Sequence, residues 1–170
     1  MAKVLAGNPH VASVIRWGLV LHRSDAQPAQ NDNCTPTEGL DQFFTMQRVA
    51  DYLYGVLQKH IDLGRYMMVE PSAGMGAFFR LMPPGSLAYD LDPRYPGVRT
   101  ADFLQAELPR DRKILIMGNP PFGRSARLAL EFFNHAAWQA KVIAMILPKT
   151  FRKSSIMRDL NPAFHLIHDE

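Results

Sequence analysis

Apolar residues recur along the chain in two alternating patterns from about residue 42 onward. Short apolar runs that end in an acid, an asparagine or a proline predict buried strands, and longer stretches with apolar residues three or four apart predict helices. Because the strands are apolar on both faces and alternate with helices, the chain predicts an α/β fold with a doubly wound, mostly parallel sheet. The predicted strands are RYMMVEP, SLAYDLDP, KILIMGNPP, KVIAMILP and FHLIHDE, and the predicted helices are QRVADYLYGVLQKHI, AFFRLM and SARLALEFFNHAAWQA.

The N-terminal segment follows a different pattern. HVASVIRWGLVLH predicts an amphipathic helix with Val11, Ile15 and Leu19 on one stripe, and it is too short to span a membrane. The stretch RSDAQPAQNDNCTPTEG is polar and rich in turn-forming residues, which is typical of a linker. We therefore predict an N-terminal helix with a flexible linker over residues 1–36 and one catalytic domain over residues 37–170.

Composition narrows the class of protein. The chain has 170 residues, of which 47% are apolar and 21% charged, as expected for one globular domain. The single cysteine, Cys34, excludes an internal disulfide framework and predicts a cytoplasmic setting. A net charge of +3 permits a nucleic-acid partner, although on charge alone a solvated basic face is the favoured interpretation. We expect no membrane segment and no metal site.

Polar residues follow several predicted strands at the edge where a doubly wound sheet binds its ligand. In EPSAGMG, Gly74 and Gly76 follow a strand and are predicted to open a helix. The spacing is neither a dinucleotide fingerprint nor a phosphate loop, and Glu70 suits a cationic or hydrogen-donating ligand. The alternative interpretation of this segment is an ordinary strand-to-helix turn that binds no ligand.

Two aspartates follow the next strands. Asp90 comes about twenty residues after the glycine loop, where an acid can accept both hydroxyls of a ribose. Asp102 could read the polar edge of an adenine ring while Phe103 packs on the face of that ring. A helix N-cap is the alternative for Asp102, because aspartate is favoured at that position.

The motif MGNPPFG contains the most specific chemistry. Asn119 offers a side-chain carbonyl, and Pro120 offers a main-chain carbonyl, so both can accept hydrogens from one amino group. The two prolines fix these acceptors before a substrate arrives, and Phe122 provides a flat face for a planar ring. The pattern predicts a site that alkylates an amine conjugated to a ring.

In this order, the motifs resemble those of class I S-adenosylmethionine-dependent methyltransferases, specifically the amino-methyltransferases with an Asn/Asp-Pro-Pro-Tyr/Phe motif, which include adenine N6-methyltransferases. The resemblance covers about residues 42–170 and includes QFFT, which resembles the segment before the glycine loop. It implies a Rossmann-like methyltransferase fold and S-adenosyl-L-methionine as the cofactor. The cofactor-binding residues that it implies are Thr45, Glu70, Pro71, Ser72, Ala73, Gly74, Gly76, Asp90, Leu91, Asp102, Phe103 and Asn119.

The resemblance also implies a substrate. The catalytic corner is Asn119, Pro120, Pro121 and Phe122, and adenine N6 in DNA is favoured over RNA. A base in duplex DNA would have to be flipped out of the stack. In the segment ILPKTFRKSS, Phe151 could close the base pocket, and three basic side chains could hold phosphates. The substrate-binding residues are then Phe122, Lys149, Phe151, Arg152 and Lys153, with a basic solvated surface as the alternative.

The sequence departs from the family in one respect. The family's sheet has seven strands, and FHLIHDE would be the sixth, so we expect the C-terminal seventh strand to be absent. The chain is then a fragment, or its exposed sheet edge is covered by the N-terminal segment, a homodimer or a partner protein. Other functions remain open: an RNA adenine methyltransferase, a protein glutamine N-methyltransferase, or a catalytically silent subunit. A nicotinamide dehydrogenase is excluded by the glycine pattern.

Overall fold

The computed structural model describes residues 12–17 and 44–169. It is an α/β structure with a parallel sheet, as predicted, although no α-helix lies between residues 60 and 127 of the described chain. Its strands and helices are β1 (Ala12–Trp17), α1 (Gln47–His60), β2 (Met67–Glu70), β3 (Leu87–Asp90), β4 (Arg99–Thr100), β5 (Ile114–Gly118), α2 (Arg127–Gln139), β6 (Val142–Ile146), α3 (Ser154–Asp159) and β7 (Phe164–Asp169).

The strands form one seven-stranded sheet in the order β4-β3-β2-β5-β6-β1-β7. Every neighbouring pair is parallel. From β2 the chain proceeds to β3 on one side, whereas from β5, the neighbour of β2, it proceeds to β6 on the other side. The connections that follow β2 and β5 therefore run in opposite directions. Open α/β sheets bind ligands at such a topological switch point.

Both faces of the sheet are buried, and the central strands explain why. In β5, Leu115 and Met117 join the apolar core under α1, which includes Leu53 and Leu57. The alternate residue Ile116 joins the core on the opposite face, under α2. Because successive side chains of a strand point to opposite faces, a strand covered on both sides must be apolar throughout. The continuous apolar runs therefore predicted these strands correctly.

The N-terminal segment differs from its prediction. Residues Ala12–Trp17 form strand β1, not part of an amphipathic helix, and β1 pairs with β6 on one side and β7 on the other. A short apolar run fits a strand and a helix equally well, and here two parallel neighbours provide the backbone hydrogen bonds. The sheet thus includes a strand from the N-terminal segment that was not predicted, and the expected absence of a C-terminal seventh strand stays a prediction. The remainder of the predicted helix and linker lies outside the described residues.

Other local predictions were also wrong. AFFRLM forms tight turns and a single 3-10 turn over Phe79–Leu81, because the prolines at 83 and 84 end the segment before an α-helix can form. The two-residue strand β4 and the short helix α3 were not predicted. Within the described part of the chain, no helix is long and apolar enough to cross a membrane.

Candidate active site

A cleft lies at the carboxyl ends of β2, β3 and β5, beside the switch point of the sheet. It brings together residues from the glycine loop, the turns after β3 and β4, and the NPPF motif. Most of the site residues predicted from these motifs line it. The lining residues are Phe44, Pro71, Ser72, Gly74, Asp90, Leu91, Asp92, Ala101, Asp102, Phe103, Leu104, Asn119, Pro120, Pro121, Phe122, Leu128 and Phe132.

The glycine loop follows β2 as a series of tight turns. Gly74 has φ +48° and Gly76 has φ +73°, which favour glycine at both positions. A Cβ added to Gly74 would stand 3.0 Å from the Phe44 ring, and one added to Gly76 would collide with the Tyr95 ring. The Arg80 side chain donates to the carbonyls of Met75 at 2.9 Å and Gly76 at 3.2 Å. The aromatic rings next to its glycines and the hydrogen bonds from Arg80 therefore restrict the loop to one backbone conformation.

Asp90 ends β3 and connects two loops. Its Oδ2 accepts the Gly74 N–H at 2.6 Å, and its Oδ1 accepts the Asp92 N–H at 2.9 Å. Each carboxylate oxygen has a further lone pair, so Asp90 can still accept hydrogen bonds from the hydroxyl groups of a ligand. Leu91, the next residue, is 64% exposed at the cleft and offers an apolar surface.

Asp102 is an N-cap, as the alternative interpretation predicted. Its Oδ1 accepts the Leu104 N–H at 2.9 Å at the start of the 3-10 turn Phe103–Gln105. The Phe103 ring does not project as a stacking surface. Its side chain is 1% exposed and stacks on the Phe132 ring in the core at 5.7 Å between centroids. Phe103 nevertheless lines the cleft, so its contact with a ligand stays a prediction.

Glu70 is the one buried charged side chain of the described residues, at 2% exposure. Burial raises the pKa of its carboxyl well above the usual range, and backbone N–H groups of Phe78 and Phe79 oppose the shift. Its Oε2 is buried and makes no hydrogen bond in the described part of the chain. Glu70 borders a smaller cavity beside the cleft, together with Thr45 and Asn119. A polar or cationic group in that cavity would satisfy the oxygen.

The NPPF motif lines the same cleft as the aspartates. β5 ends at Gly118, and Asn119 and Pro120 then turn into the cleft. The Ser72 hydroxyl donates to the main-chain carbonyl of Asn119 at 3.1 Å, which ties the glycine loop to this corner. Phe122 is half-buried at the cleft, so part of its ring is accessible. An amide side chain, a proline and an aromatic ring of this motif therefore line the same cleft.

The charge of the cleft limits its ligands. Three carboxylates line it, those of Asp90, Asp92 and Asp102, and no Lys or Arg of the described residues does so. The nearby Arg94 guanidinium pairs with Asp92 at 3.2 Å and lies 5.5 Å from the Phe44 ring. A pyrophosphate would meet these three carboxylates with no Lys or Arg of the described residues in the lining to offset its charge. A ligand with hydroxyl groups and a positive charge fits better.

The basic segment after β6 departs from its prediction. Phe151 is 1% exposed in the core and does not line the cleft, so it does not close a base pocket. The Arg152 guanidinium donates two hydrogen bonds to the Asp169 carboxylate of β7, at 3.0 and 3.1 Å. Lys149 and Lys153 are exposed, and this segment contacts the turn Arg124–Ala126 that follows the NPPF motif. The segment thus lies near the end of the NPPF motif, and none of its residues lines the cleft.

Sequence reasoning missed some residues of the cleft. Leu128 and Phe132 of α2 line it, although their helical spacing indicated only a buried face. Phe44 lies over Gly74, and its place beside Thr45 in QFFT was the one available signal. Gly76 and Ala73 shape the glycine loop without lining the larger cleft.

Comparison of the sequence with models of protein families and with curated proteins finds no match.

Proposed function

We propose that the protein is an S-adenosylmethionine-dependent N-methyltransferase with the methyltransferase form of the α/β fold. The observation that supports it most directly is the cleft itself. One surface combines a glycine loop, a strand-end aspartate and an NPPF corner, contributed by three strands that are separate in sequence. Packing alone gives no reason for an asparagine and two prolines to turn into this cleft.

The residues of the cleft fit S-adenosylmethionine. Asp90 provides carboxylate oxygens for the ribose hydroxyls, and Leu91 offers an apolar surface for the base. Glu70 and Thr45 border the smaller cavity, where the unsatisfied Glu70 Oε2 suits the amino group of a methionine moiety. When bound, the cofactor supplies a methyl group activated by a sulfonium charge, and the carboxylates of the cleft are compatible with that charge.

The NPPF corner orients the amine. The Asn119 side-chain carbonyl and the Pro120 main-chain carbonyl accept the two N–H groups of the target nitrogen. This draws the nitrogen lone pair out of conjugation with the ring and aims it into the cleft, while Phe122 stacks on the ring. The nitrogen loses its proton after the transfer, so the corner needs no strong base.

Adenine N6 in a nucleic acid, with DNA ahead of RNA, is the proposed substrate. Lys149 and Lys153 are exposed, and the 3-10 turn Lys149–Arg152 contacts the turn Arg124–Ala126, which follows the NPPF motif. Exposed positive charges on this segment suit the phosphates that flank a bound base. The carboxylates of the cleft suit the cofactor, and these lysines suit a nucleic-acid substrate.

A methyl-transfer assay with isotope-labelled S-adenosylmethionine tests the proposal on separate DNA, RNA and protein pools. We expect adenine-containing DNA to be labelled and Asn119→Ala to lower the rate on the order of a hundredfold, with cofactor affinity within about twofold of wild type. Asn134→Ala is the matched control, because the Asn134 amide bonds Asp159 and Asn161 away from the cleft.

The assay separates the candidate substrates. Labelling of protein alone would replace the nucleic-acid substrate with a side-chain amide. An Asn119→Ala variant that loses cofactor binding and methyl transfer equally would contradict the role assigned to Asn119.

A further inference from the structure

The glycine loop and the NPPF corner are in direct contact at the switch point between β2 and β5. The Ser72 hydroxyl donates to the Asn119 main-chain carbonyl at 3.1 Å. One residue earlier in each segment, a Cβ added to Gly118 would stand 3.0 Å from Pro71 Cδ, so a side chain at position 118 would crowd Pro71. The two segments therefore lie close together, and they cannot move apart without breaking the Ser72–Asn119 hydrogen bond.

The backbone of the corner lies beyond the hydrogen-bonded ladder of the sheet. Pro120 and Pro121 carry no N–H, and β5 ends at Gly118, so the ladder of the sheet does not continue through the corner. The Ser72 hydroxyl restrains the peptide plane between Asn119 and Pro120. The directions of the Asn119 side chain and the Pro120 carbonyl both depend on that plane.

Ser72 and Asn119 also lie where the two cavities of the site meet. Both residues line the larger cleft, and both line the smaller cavity beside Glu70. A ligand that fills either cavity contacts the glycine loop next to this hydrogen bond. The bond is thus in a position to transmit the state of the loop to the corner.

We propose that Ser72 is a positioning residue that couples occupancy of the glycine loop to the orientation of the amine acceptors Asn119 and Pro120. This inference rests on the proposed function. A loop held by bound cofactor keeps the hydroxyl in place, and the corner then binds the amine more tightly. Because coupling between two sites is reciprocal, bound substrate strengthens cofactor binding by the same factor.

Fluorescence anisotropy with an adenine-containing single-stranded DNA oligonucleotide measures the coupling, with and without S-adenosylhomocysteine as an unreactive probe of the cofactor site. Wild type is compared with Ser72→Ala, Ser72→Thr and Ser86→Ala. Ser86 is the matched control, because its hydroxyl donates to the Pro83 carbonyl at 2.7 Å in a turn that lines neither cavity.

We expect Ser72→Ala to bind DNA alone within about twofold of wild type and to lose the strengthening of DNA binding by S-adenosylhomocysteine. Its kcat, measured with saturating cofactor, should fall about fivefold. Ser72→Thr keeps the hydroxyl and should restore both properties, and Ser86→Ala should behave as wild type.

The possible failures are distinguishable. If Ser72→Ala keeps the wild-type kcat and the wild-type strengthening of DNA binding by S-adenosylhomocysteine, the inference is overturned and the proposed function stays intact. The same holds if the wild-type protein transfers methyl groups but binds DNA equally with and without S-adenosylhomocysteine. A wild-type protein that neither binds S-adenosylhomocysteine nor transfers methyl groups overturns the proposed function, and the inference with it.

Discussion

The loops after β2, β3 and β5 and the basic segment after β6 leave the same edge of the sheet, but they are held differently. The first three are tied to one another, since Gly74 bonds Asp90 and Ser72 bonds Asn119 across strand boundaries. The segment after β6 is anchored away from the cleft, with Phe151 in the core and Arg152 on Asp169.

The difference separates two kinds of recognition. Cross-strand hydrogen bonds fix polar groups before a ligand arrives, which suits a small molecule that must be held in one orientation. Exposed lysines on a segment anchored elsewhere provide charge without fixed geometry, which suits a phosphate backbone. Substitutions in the first region should therefore change specific binding, and those in the second should change affinity in a salt-dependent way.

Gly76→Ala should disrupt the first region most. The added Cβ would collide with the Tyr95 ring at a position where φ is +73°. We expect the affinity for S-adenosylmethionine, measured by titration calorimetry, to fall on the order of a hundredfold. Gly85→Ala is the control, since Gly85 has φ +89° but no atom within 4 Å of an added Cβ. Equal losses in both variants would show that the collision is unimportant.

Asp90→Asn should weaken S-adenosylmethionine binding about tenfold, because an amide offers one acceptor oxygen where the carboxylate offers two. Calorimetry again gives the affinity. Asp62→Asn is the matched control, because the Asp62 carboxylate accepts the Gly64 N–H at 3.2 Å in a similar turn outside the cleft. Unchanged affinity in Asp90→Asn would reduce Asp90 to a turn residue.

Glu70 should make stability depend on pH. Burial raises the pKa of its carboxyl in the folded state, so the folded protein holds the proton at pH values where the unfolded chain has released it. The free energy of unfolding should therefore fall as pH rises from the usual glutamate pKa through the raised one. Glu70→Gln should remove this fall, as measured by denaturant unfolding at several pH values. Parallel profiles for Glu70→Gln and wild type would contradict this account.

Lys149→Ala and Lys153→Ala should have the smallest effects. Each should weaken DNA binding about threefold and lower the salt slope by about one if the lysine contacts a phosphate. Cofactor affinity should not change. Arg152→Ala should weaken binding less, because its guanidinium is engaged with Asp169. A loss of cofactor affinity in either lysine variant would remove the distinction between the two regions.

The sequence predicted the parts of the fold that local patterns determine. Strands β2, β3, β5, β6 and β7 and helices α1 and α2 were recognisable because apolar periodicity and proline boundaries agree there. β1 was misread because a short apolar run becomes a strand only through its neighbours β6 and β7, which lie far away in sequence.

In the candidate site, too, local patterns predicted some features, and others depended on contacts between distant residues. Residues at strand ends, such as Asp90 and Asn119, were predictable because the carboxyl ends of parallel strands meet at one edge. The directions of side chains were not. Phe103 and Phe151 follow polar or basic residues, yet their rings turn into the core, and no local pattern shows which way a loop aromatic points.

Titration calorimetry of the protein with S-adenosylmethionine and, separately, with NAD decides whether the cleft is a site for S-adenosylmethionine. We expect binding of S-adenosylmethionine and none of NAD, because the glycine loop opens into turns and carboxylates line the cleft. Binding of NAD, or of neither ligand, would show that the cleft is not this site.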